Sequence, residues 1–95
     1  MATYISLIRF TEKGAQAIKQ STKRAHAFDQ AAEKAGVRID GQYWTLGSYD
    51  GVLILSADKA EKALRCLAEL AAGGYVKTET LPAFTDKEFE AIAGG

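Results

Sequence analysis

Residues 4–10 read Tyr-Ile-Ser-Leu-Ile-Arg-Phe, and residues 49–55 read Tyr-Asp-Gly-Val-Leu-Ile-Leu. Because successive side chains of a strand point to opposite faces of a sheet, each segment places apolar side chains on both faces. Runs of this kind are typical of strands that are buried on two sides. We therefore expect both segments to be central strands, with a layer of helices on one face and a different cover on the other.

Length, charge and the absence of long apolar runs limit the class of protein. The 95 residues make one domain, which we assign to residues 1–95. Twelve Lys and Arg balance 12 Asp and Glu, so the formal net charge is zero and a nucleic-acid footprint is missing. No apolar run approaches the roughly 18 residues of a membrane span, and no secretion signal is recognisable. We expect a soluble, cytoplasmic protein that binds neither nucleic acid nor membrane.

Residues 12–35 are predicted to form the first helix. Thr11 follows the first strand and can cap a helix by accepting a bond from an unpaired backbone N–H. Apolar and small side chains then recur at three- and four-residue spacing, which is typical of a helix that lies close to a sheet. The helix ends where Gly36 can adopt a left-handed conformation. Lys23 and Arg24 are interpreted as solvated charges.

Residues 37–46 are predicted to form the second strand, with a bulge at Asp40-Gly41. Gly47-Ser48 then suits a type II′ turn, which joins this strand to residues 49–55. The turn fixes the register of the two strands. The expected cross-strand pairs are Leu46 with Tyr49, Thr45 with Asp50, Trp44 with Gly51, and Tyr43 with Val52.

A second helix is predicted to follow the third strand. Asp58 and Glu61 have the spacing of a capping box, and an apolar helical face then continues to Gly73-Gly74. Cys66 lies on that apolar face. As the single cysteine it has no disulfide partner within the chain, and we expect a buried, unreactive thiol.

Residues 75–81 are predicted to form the fourth strand, and their polar pattern suits the edge of a sheet. Pro82 is expected to end this strand because proline cannot donate a backbone hydrogen bond. A short last helix is predicted over residues 86–93. Its Phe89 and Ile92 are expected to dock on the body of the domain.

Two β-α-β crossovers that share one antiparallel sheet give a ferredoxin-like βαββαβ arrangement, which is an α+β fold. The strand order is then 4-1-3-2, with both long helices on one face. Strands one and three are central in this order, in agreement with their two-sided apolar pattern. The other face needs a cover, and we predict a homodimer or a higher homo-oligomer packed sheet against sheet.

Three segments of the chain resemble a known family. They are residues 45–52 (Thr-Leu-Gly-Ser-Tyr-Asp-Gly-Val), 10–14 (Phe-Thr-Glu-Lys-Gly) and 78–84 (Thr-Glu-Thr-Leu-Pro-Ala-Phe). The chain resembles the GYD domain family of small bacterial and archaeal proteins. We take that family to be named after a Gly, a Tyr and an Asp, and Gly47, Tyr49 and Asp50 match them. The resemblance extends over nearly the whole chain and implies a dimeric α+β barrel. It implies no single activity, because that fold hosts monooxygenases, haem proteins and ligand-binding proteins.

The predicted topology brings Arg9, Tyr49, Asp50 and Tyr75 to one end of the sheet. Asp50 can hold the hairpin by accepting backbone N–H bonds, which is a common role for Asp beside a turn. Alternatively, Tyr49 and Asp50 present a phenol and a carboxylate to a cleft, and Arg9 either holds an anion there or pairs with Asp50. Both interpretations are open, and these three residues are candidate ligand-binding residues.

Three further side chains are candidates for a site. His26 is the only histidine and the first choice for proton transfer near neutral pH, although a boundary position shared with solvent is the simpler interpretation. Tyr43 and Trp44 point to opposite faces, and each is a candidate for ligand binding or for a core or interface. The catalytic candidates are thus Tyr49, Asp50 and His26. No metal site and no cofactor are indicated by the spacing of possible ligands.

Three functions are compatible with these residues. The first is a homo-oligomeric, non-enzymatic protein that binds a small, partly apolar molecule between sheet and helices, because the interior is aromatic and lacks a convincing catalytic set. The second is a cofactor-independent monooxygenase- or isomerase-like enzyme in which the three catalytic candidates handle a proton. The third is a structural or interaction partner of another protein.

Overall fold

The computed structural model describes residues 1–94 and contains a four-stranded antiparallel sheet. The strands are β1 (Ala2–Phe10), β2 (Arg38–Trp44), β3 (Gly51–Ala57) and β4 (Val76–Ala83). Their spatial order is β2-β3-β1-β4, which becomes 4-1-3-2 when it is counted from the β4 edge. The central strands are β1 and β3, as the two-sided apolar pattern predicts.

The first predicted helix is divided in the structure, whereas the second and the last predicted helices are present. They are α1 (Glu12–Gln16), α2 (Ser21–Lys34), α3 (Ala60–Ala72) and α4 (Asp86–Phe89). A 3₁₀ turn, Ile18–Gln20, separates α1 from α2, so the prediction of one continuous helix over residues 12–35 is wrong. A π-helical turn, Glu90–Gly94, follows α4. Among the residues described, no helix is long and apolar enough to cross a membrane.

The hydrophobic core lies between one face of the sheet and the helices α2 and α3. Its buried apolar members are Ala32, Val37, Leu53, Leu55, Ala57, Ala63, Cys66 and Leu67. Ser6 is also fully buried on this face, where its hydroxyl lies 2.9 Å from the hydroxyl of Thr80. This contact satisfies a polar group inside the core. The single helical layer therefore covers one face of the sheet.

The opposite face of the sheet, which we call the open sheet face, carries a row of apolar side chains. They are Ile5, Leu7, Tyr43, Val52, Ile54 and Leu81. Each of them is half-buried or exposed. The shortest dimension of the protein is 17 Å, which corresponds to one sheet and one layer of helices. The two-sided pattern of the central strands therefore leaves apolar surface uncovered in a single chain.

The β2–β3 hairpin confirms part of the predicted register. Trp44 pairs with Gly51, Tyr43 pairs with Val52, and a bulge interrupts β2 between Ile39 and Gly41, as expected. The prediction of a tight turn at Gly47-Ser48 is wrong. Residues 45–50 form a longer loop instead, and Leu46 is fully exposed in it. Within it, the Thr45 N–H still donates to the Asp50 carbonyl, and Gly47 takes a φ of +100°. That left-handed angle is the reason for glycine at this position.

Two predictions about strand and helix ends are wrong. Pro82 does not end β4 but lies within it, paired with Tyr4. An edge strand tolerates proline because one side of its backbone needs no partner. The capping box at Asp58 is also absent: Lys59 is the N-cap of α3 and makes no side-chain cap bond. Asp58 instead forms an ion pair with Lys62, whose hydrogen bond lowers the pKa of this carboxyl.

The C-terminal segment is well capped but does not dock on the domain. Thr85 and Glu88 form a capping box at the start of α4, and the backbone hydrogen bond from Thr85 lowers the pKa of the Glu88 carboxyl. Phe89 is 63% exposed and Ile92 is 67% exposed. The expectation that these two side chains pack on the body is therefore wrong for a single chain. We call residues 84–94 the C-terminal arm; it exposes the apolar side chains of Phe84, Phe89 and Ile92.

Candidate functional site

Asp50 joins the hairpin loop to the end of β1. Its backbone N–H donates to the Ile8 carbonyl at 2.7 Å, and its carboxylate accepts the Phe10 N–H at 2.8 Å. The regular ladder between β1 and β3 ends at Ile8 and Gly51. The carboxylate therefore replaces the backbone carbonyl that would bond Phe10 if the ladder continued. The side chain does hold this region, but it does so by clasping β1 rather than by bonding within the turn.

A second clasp joins the start of α1 to the start of β4. The Thr11 N–H donates to the Tyr75 carbonyl at 3.0 Å, and the Thr11 hydroxyl donates to the Gly74 carbonyl at 2.6 Å. The same hydroxyl accepts the Gly14 N–H at 3.1 Å as an N-cap. A Cβ atom on Gly14 would lie 2.0 Å from the Tyr75 carbonyl oxygen, so only glycine permits this approach.

Arg9 and Tyr49 lie together at the same end of the sheet, but on the side of the open sheet face. The Arg9 guanidinium carbon is 4.6 Å from the centroid of the Tyr49 ring, and its Nε donates to the Ser48 carbonyl at 3.0 Å. The Tyr49 hydroxyl is 3.3 Å from the Glu79 carboxylate. These contacts are exposed, and they form a small polar cluster at the border of the open sheet face.

The helix side of the sheet contains a cleft of about 350 Å³, which we call the helix-side cleft. Its floor is formed by β1, β3 and β4, and its walls by α2, the end of α3 and Trp44. Apolar residues that line it include Ile8, Phe10, Ala25, Phe28, Leu70 and Val76. Polar residues that line it include Ser21, Arg24, Gln42, Asp50, Glu69 and Tyr75. Ligand sites in proteins are commonly apolar clefts with a few polar groups of this kind.

Arg24 is the most unusual side chain of the helix-side cleft. Its Nη1 donates to the Ala17 carbonyl at 2.8 Å, and its guanidinium carbon lies 4.3 Å from the centroid of the Tyr75 ring. Its Nη2 is buried and has no hydrogen-bond partner among residues 1–94. Lys13 Nζ also lies 4.3 Å from the Tyr75 ring centroid, so two cations flank this aromatic ring.

The interpretation of Arg24 as a solvated charge is wrong. The sequence contained a signal for its position: Arg24 is three residues after Ser21 and four before Phe28, on the stripe that faces the sheet. A cation on such a stripe is stable when its charged end bonds to the backbone and stacks on an aromatic ring. The break before α2 supplies the carbonyl of Ala17, and β4 supplies the ring of Tyr75.

The other candidates from the sequence lie apart from one another. Trp44 is on the helix side, where its indole N–H donates to the Ser21 hydroxyl at 2.9 Å, whereas Tyr43 is on the open sheet face. His26 is exposed on α2. Tyr49 and Asp50 are neighbours in sequence, but Asp50 borders the helix-side cleft and Tyr49 contacts Arg9 on the other side. The three catalytic candidates therefore do not converge on one cavity.

Cys66 is 5% exposed in the core, and burial raises the pKa of its thiol, so the thiol is neutral near pH 7. Within residues 1–94, no three His, Cys, Asp or Glu side chains are grouped so that they could hold a metal ion.

Comparison with known proteins places this fold and these residues in one family. The GYD domain matches residues 4–93. The chain is 38% identical over 84 residues to a Thermus thermophilus protein named glutamine synthetase and cystathionine beta-lyase binding protein, with 87% of this chain and 88% of the relative covered. It also resembles the crystal structure of TTHA0845 from Thermus thermophilus, with a TM-score of 0.58, 24% identity, and coverage of 90% and 95% of the two chains. That likeness concerns the fold alone, whereas the domain match and the sequence identity mean that this chain belongs to the GYD domain family.

Proposed function

We propose that this protein is a homodimeric, non-enzymatic binding protein that holds a small, partly apolar molecule in the helix-side cleft. The observation that carries this proposal is the cleft of about 350 Å³, which has apolar walls and a few polar groups. A volume of this size lies in the range of small-molecule sites, and the lining has the composition that such sites have.

The open sheet face supports the dimeric part of the proposal. Ile5, Leu7, Val52 and Ile54 form a contiguous apolar row on the two central strands. A monomer that exposes such a patch is prone to aggregation, and a second copy of the same face is a self-complementary cover. A dimer of this kind packs sheet against sheet and leaves the helix-side cleft of each subunit accessible.

The enzyme alternative has less support. A cofactor-independent monooxygenase or isomerase needs a base and a proton donor close to the same substrate atom. His26 is exposed on α2, and Tyr49 contacts Arg9 on the far side of the sheet from the cleft. Asp50 is the one catalytic candidate that borders the cleft, and its carboxylate already accepts the Phe10 N–H.

Native mass spectrometry of the purified protein tests the proposal, because it reports the number of subunits and any retained ligand together. The matched variants are Ala25→Phe, which fills the cleft, and Ala68→Phe, which adds the same side chain to an exposed position of α3. We expect a dimer with an additional small mass in the wild type and in Ala68→Phe, and loss of that mass in Ala25→Phe. Equal retention in both variants would exclude the cleft as the site.

A second candidate function is the binding of metabolic enzymes, favoured by the name of the relative that is 38% identical. Phe84, Phe89 and Ile92 are exposed on the C-terminal arm and could contact a partner protein. The test is calorimetric titration with purified glutamine synthetase and with purified cystathionine beta-lyase. We expect Phe89→Ser to weaken binding and Leu64→Ser, at an exposed apolar position of α3, to leave it unchanged. The absence of binding to either enzyme would exclude this role.

A further inference from the structure

The Nη2 of Arg24 is a buried, unused hydrogen-bond donor on a side chain that lines the helix-side cleft. Of the two terminal nitrogens, Nη1 is occupied by the Ala17 carbonyl, and Nη2 has no partner among residues 1–94. Buried polar groups are almost always paired, and an unpaired donor of a charged group is especially unfavourable. Because Nη2 has almost no accessible surface, the guanidinium has to turn toward the cleft before an acceptor on a ligand can pair this donor.

The charges around Arg24 indicate what kind of acceptor fits. The guanidinium and Lys13 Nζ both lie 4.3 Å from the centroid of the Tyr75 ring, so two cations lie against one aromatic residue of the lining. Lys13 Nζ also donates to the Gly73 carbonyl at 3.3 Å. The planar fork of arginine matches the geometry of a carboxylate, and a bond between two charged groups is stronger than one between neutral groups.

Two carboxylates, those of Asp50 and Glu69, also border the cleft, but neither neutralises Arg24. Asp50 Oδ2 accepts the Phe10 N–H at 2.8 Å, and Glu69 is exposed on α3. Neither forms an ion pair with Arg24 within the described chain. The positive charge of Arg24 is therefore available to a ligand.

We propose that the helix-side cleft binds a small organic carboxylate with an aromatic or branched aliphatic body, and that Arg24 is the anchor for its acid group. This inference rests on the proposed ligand-binding function and specifies the class of ligand. The guanidinium turns toward the cleft, and the acid group accepts a hydrogen bond from Nη2, the donor that residues 1–94 leave unpaired. The body of the ligand lies against Ile8, Phe28 and Leu70, which provide the apolar part of the lining.

Trp44 makes the inference directly measurable. It is the only tryptophan in the chain and lies in the wall of the cleft, so its fluorescence reports occupancy. Phenylacetate and phenylacetamide are the probes, because they share shape and apolar body but differ in charge. We expect the wild type to bind phenylacetate at least about tenfold more tightly than phenylacetamide, the difference that an ionic hydrogen bond commonly provides.

Variants at adjacent positions distinguish a direct bond from Arg24 to the acid group from a general effect of positive charge on α2. Arg24→Gln removes the charge from the cleft, and Lys23→Gln removes the same charge from an exposed neighbouring position on α2. We expect Arg24→Gln to lose the preference for the acid while it still binds phenylacetamide, and Lys23→Gln to retain the preference. Circular dichroism confirms that both variants are folded.

The possible failures are distinguishable. Equal affinity of the wild type for both probes would overturn the assignment of an acid ligand and leave the cleft as a binding site. A preference for the acid that survives in Arg24→Gln would overturn the role of Arg24. If neither probe changes the Trp44 signal at millimolar concentration and native mass spectrometry finds no retained ligand, both this inference and the proposed ligand-binding function fail.

Discussion

A methyl group on Gly14 should destabilise the protein, because α1 and the start of β4 approach each other at backbone distance. The Cβ atom of Gly14→Ala would lie 2.0 Å from the Tyr75 carbonyl oxygen, whereas real Cβ contacts are essentially never under 3.0 Å. The difference, 3.0 minus 2.0, requires a displacement of at least 1 Å. Both partners of this contact are backbone segments, so no side-chain rotation relieves it.

The magnitude follows from the bonds that the displacement breaks. A shift of this size lengthens the Thr11 N–H bond to the Tyr75 carbonyl, now 3.0 Å, and the Thr11 hydroxyl bond to the Gly74 carbonyl, now 2.6 Å. Two such bonds contribute about 1–3 kcal/mol. Strain from the added atom costs about 1 kcal/mol more, and the better helix propensity of alanine returns about 1 kcal/mol. The net loss is about 2 kcal/mol, which lowers the melting temperature of a domain of this size by about 8–16 °C.

Thermal unfolding followed by circular dichroism, at one fixed protein concentration, provides the measurement. Gly73→Ala is the matched control, since its Cβ atom would meet the Leu70 carbonyl oxygen at an acceptable 3.4 Å and its φ is −65°. We expect this control to melt within about 4 °C of the wild type, as surface substitutions do. If Gly14→Ala melts no lower than Gly73→Ala, the close approach of α1 and β4 is not a structural requirement and the reasoning is refuted.

Three further predictions concern the clasp at Asp50, the open sheet face and the buried thiol. Asp50→Ala leaves the Phe10 N–H unpaired and should lower the free energy of unfolding by about 1–3 kcal/mol in urea titrations, whereas Tyr49→Phe removes an exposed contact and should change it little. Ile54→Asp places a charge on the open sheet face and should convert a sedimenting dimer into monomers; a 10.2 kDa wild-type species at micromolar concentration would contradict the dimer. Burial raises the pKa of Cys66, so the stability due to the neutral thiol is complete below its ordinary pKa of about 8.5 and falls as pH rises above it. Its reaction with a disulfide reagent at pH 7 should require unfolding, and rapid labelling of the native protein would contradict the burial.

The features that the sequence predicted correctly depend on patterns of side chains along a strand. Apolar side chains on both faces of β1 and β3 predicted the central strands, because apolar residues at nearly every position are typical of strands in the middle of a sheet. The predicted turn at Gly47-Ser48 set which residues of β2 and β3 face each other, and the pairs Trp44–Gly51 and Tyr43–Val52 are present although the turn itself is a longer loop. These are local signals whose physical cause acts at the same residues, and so they could be interpreted without knowledge of the rest of the chain.

The features that were missed depend on contacts between distant segments. Nothing in residues 45–50 forbids a tight turn, but the Asp50 N–H and carboxylate both bond to β1 and open the loop. Likewise, Pro82 signals the end of a strand, but its position at the edge of the sheet lets β4 continue to Ala83. In both cases a long-range partner decides between local alternatives, and that partner is about 40 residues or more away.

The break between α1 and α2 is a third feature that the sequence did not predict, and it helps to form the candidate site. The stripe of residues 12–35 predicts one helix, and neither glycine nor proline is present where it breaks, at Ala17. Two attachments lie on either side of the break: α1 is held at the start of β4 through Thr11 and Gly14, and α2 packs on the core through Ala32. The turn between them gives the Ala17 carbonyl to Arg24 Nη1. The same break therefore orients the guanidinium beside the cleft. Substitutions that restore a continuous helix should remove this carbonyl from Arg24, and with it the position of the guanidinium, without changing any residue of the lining.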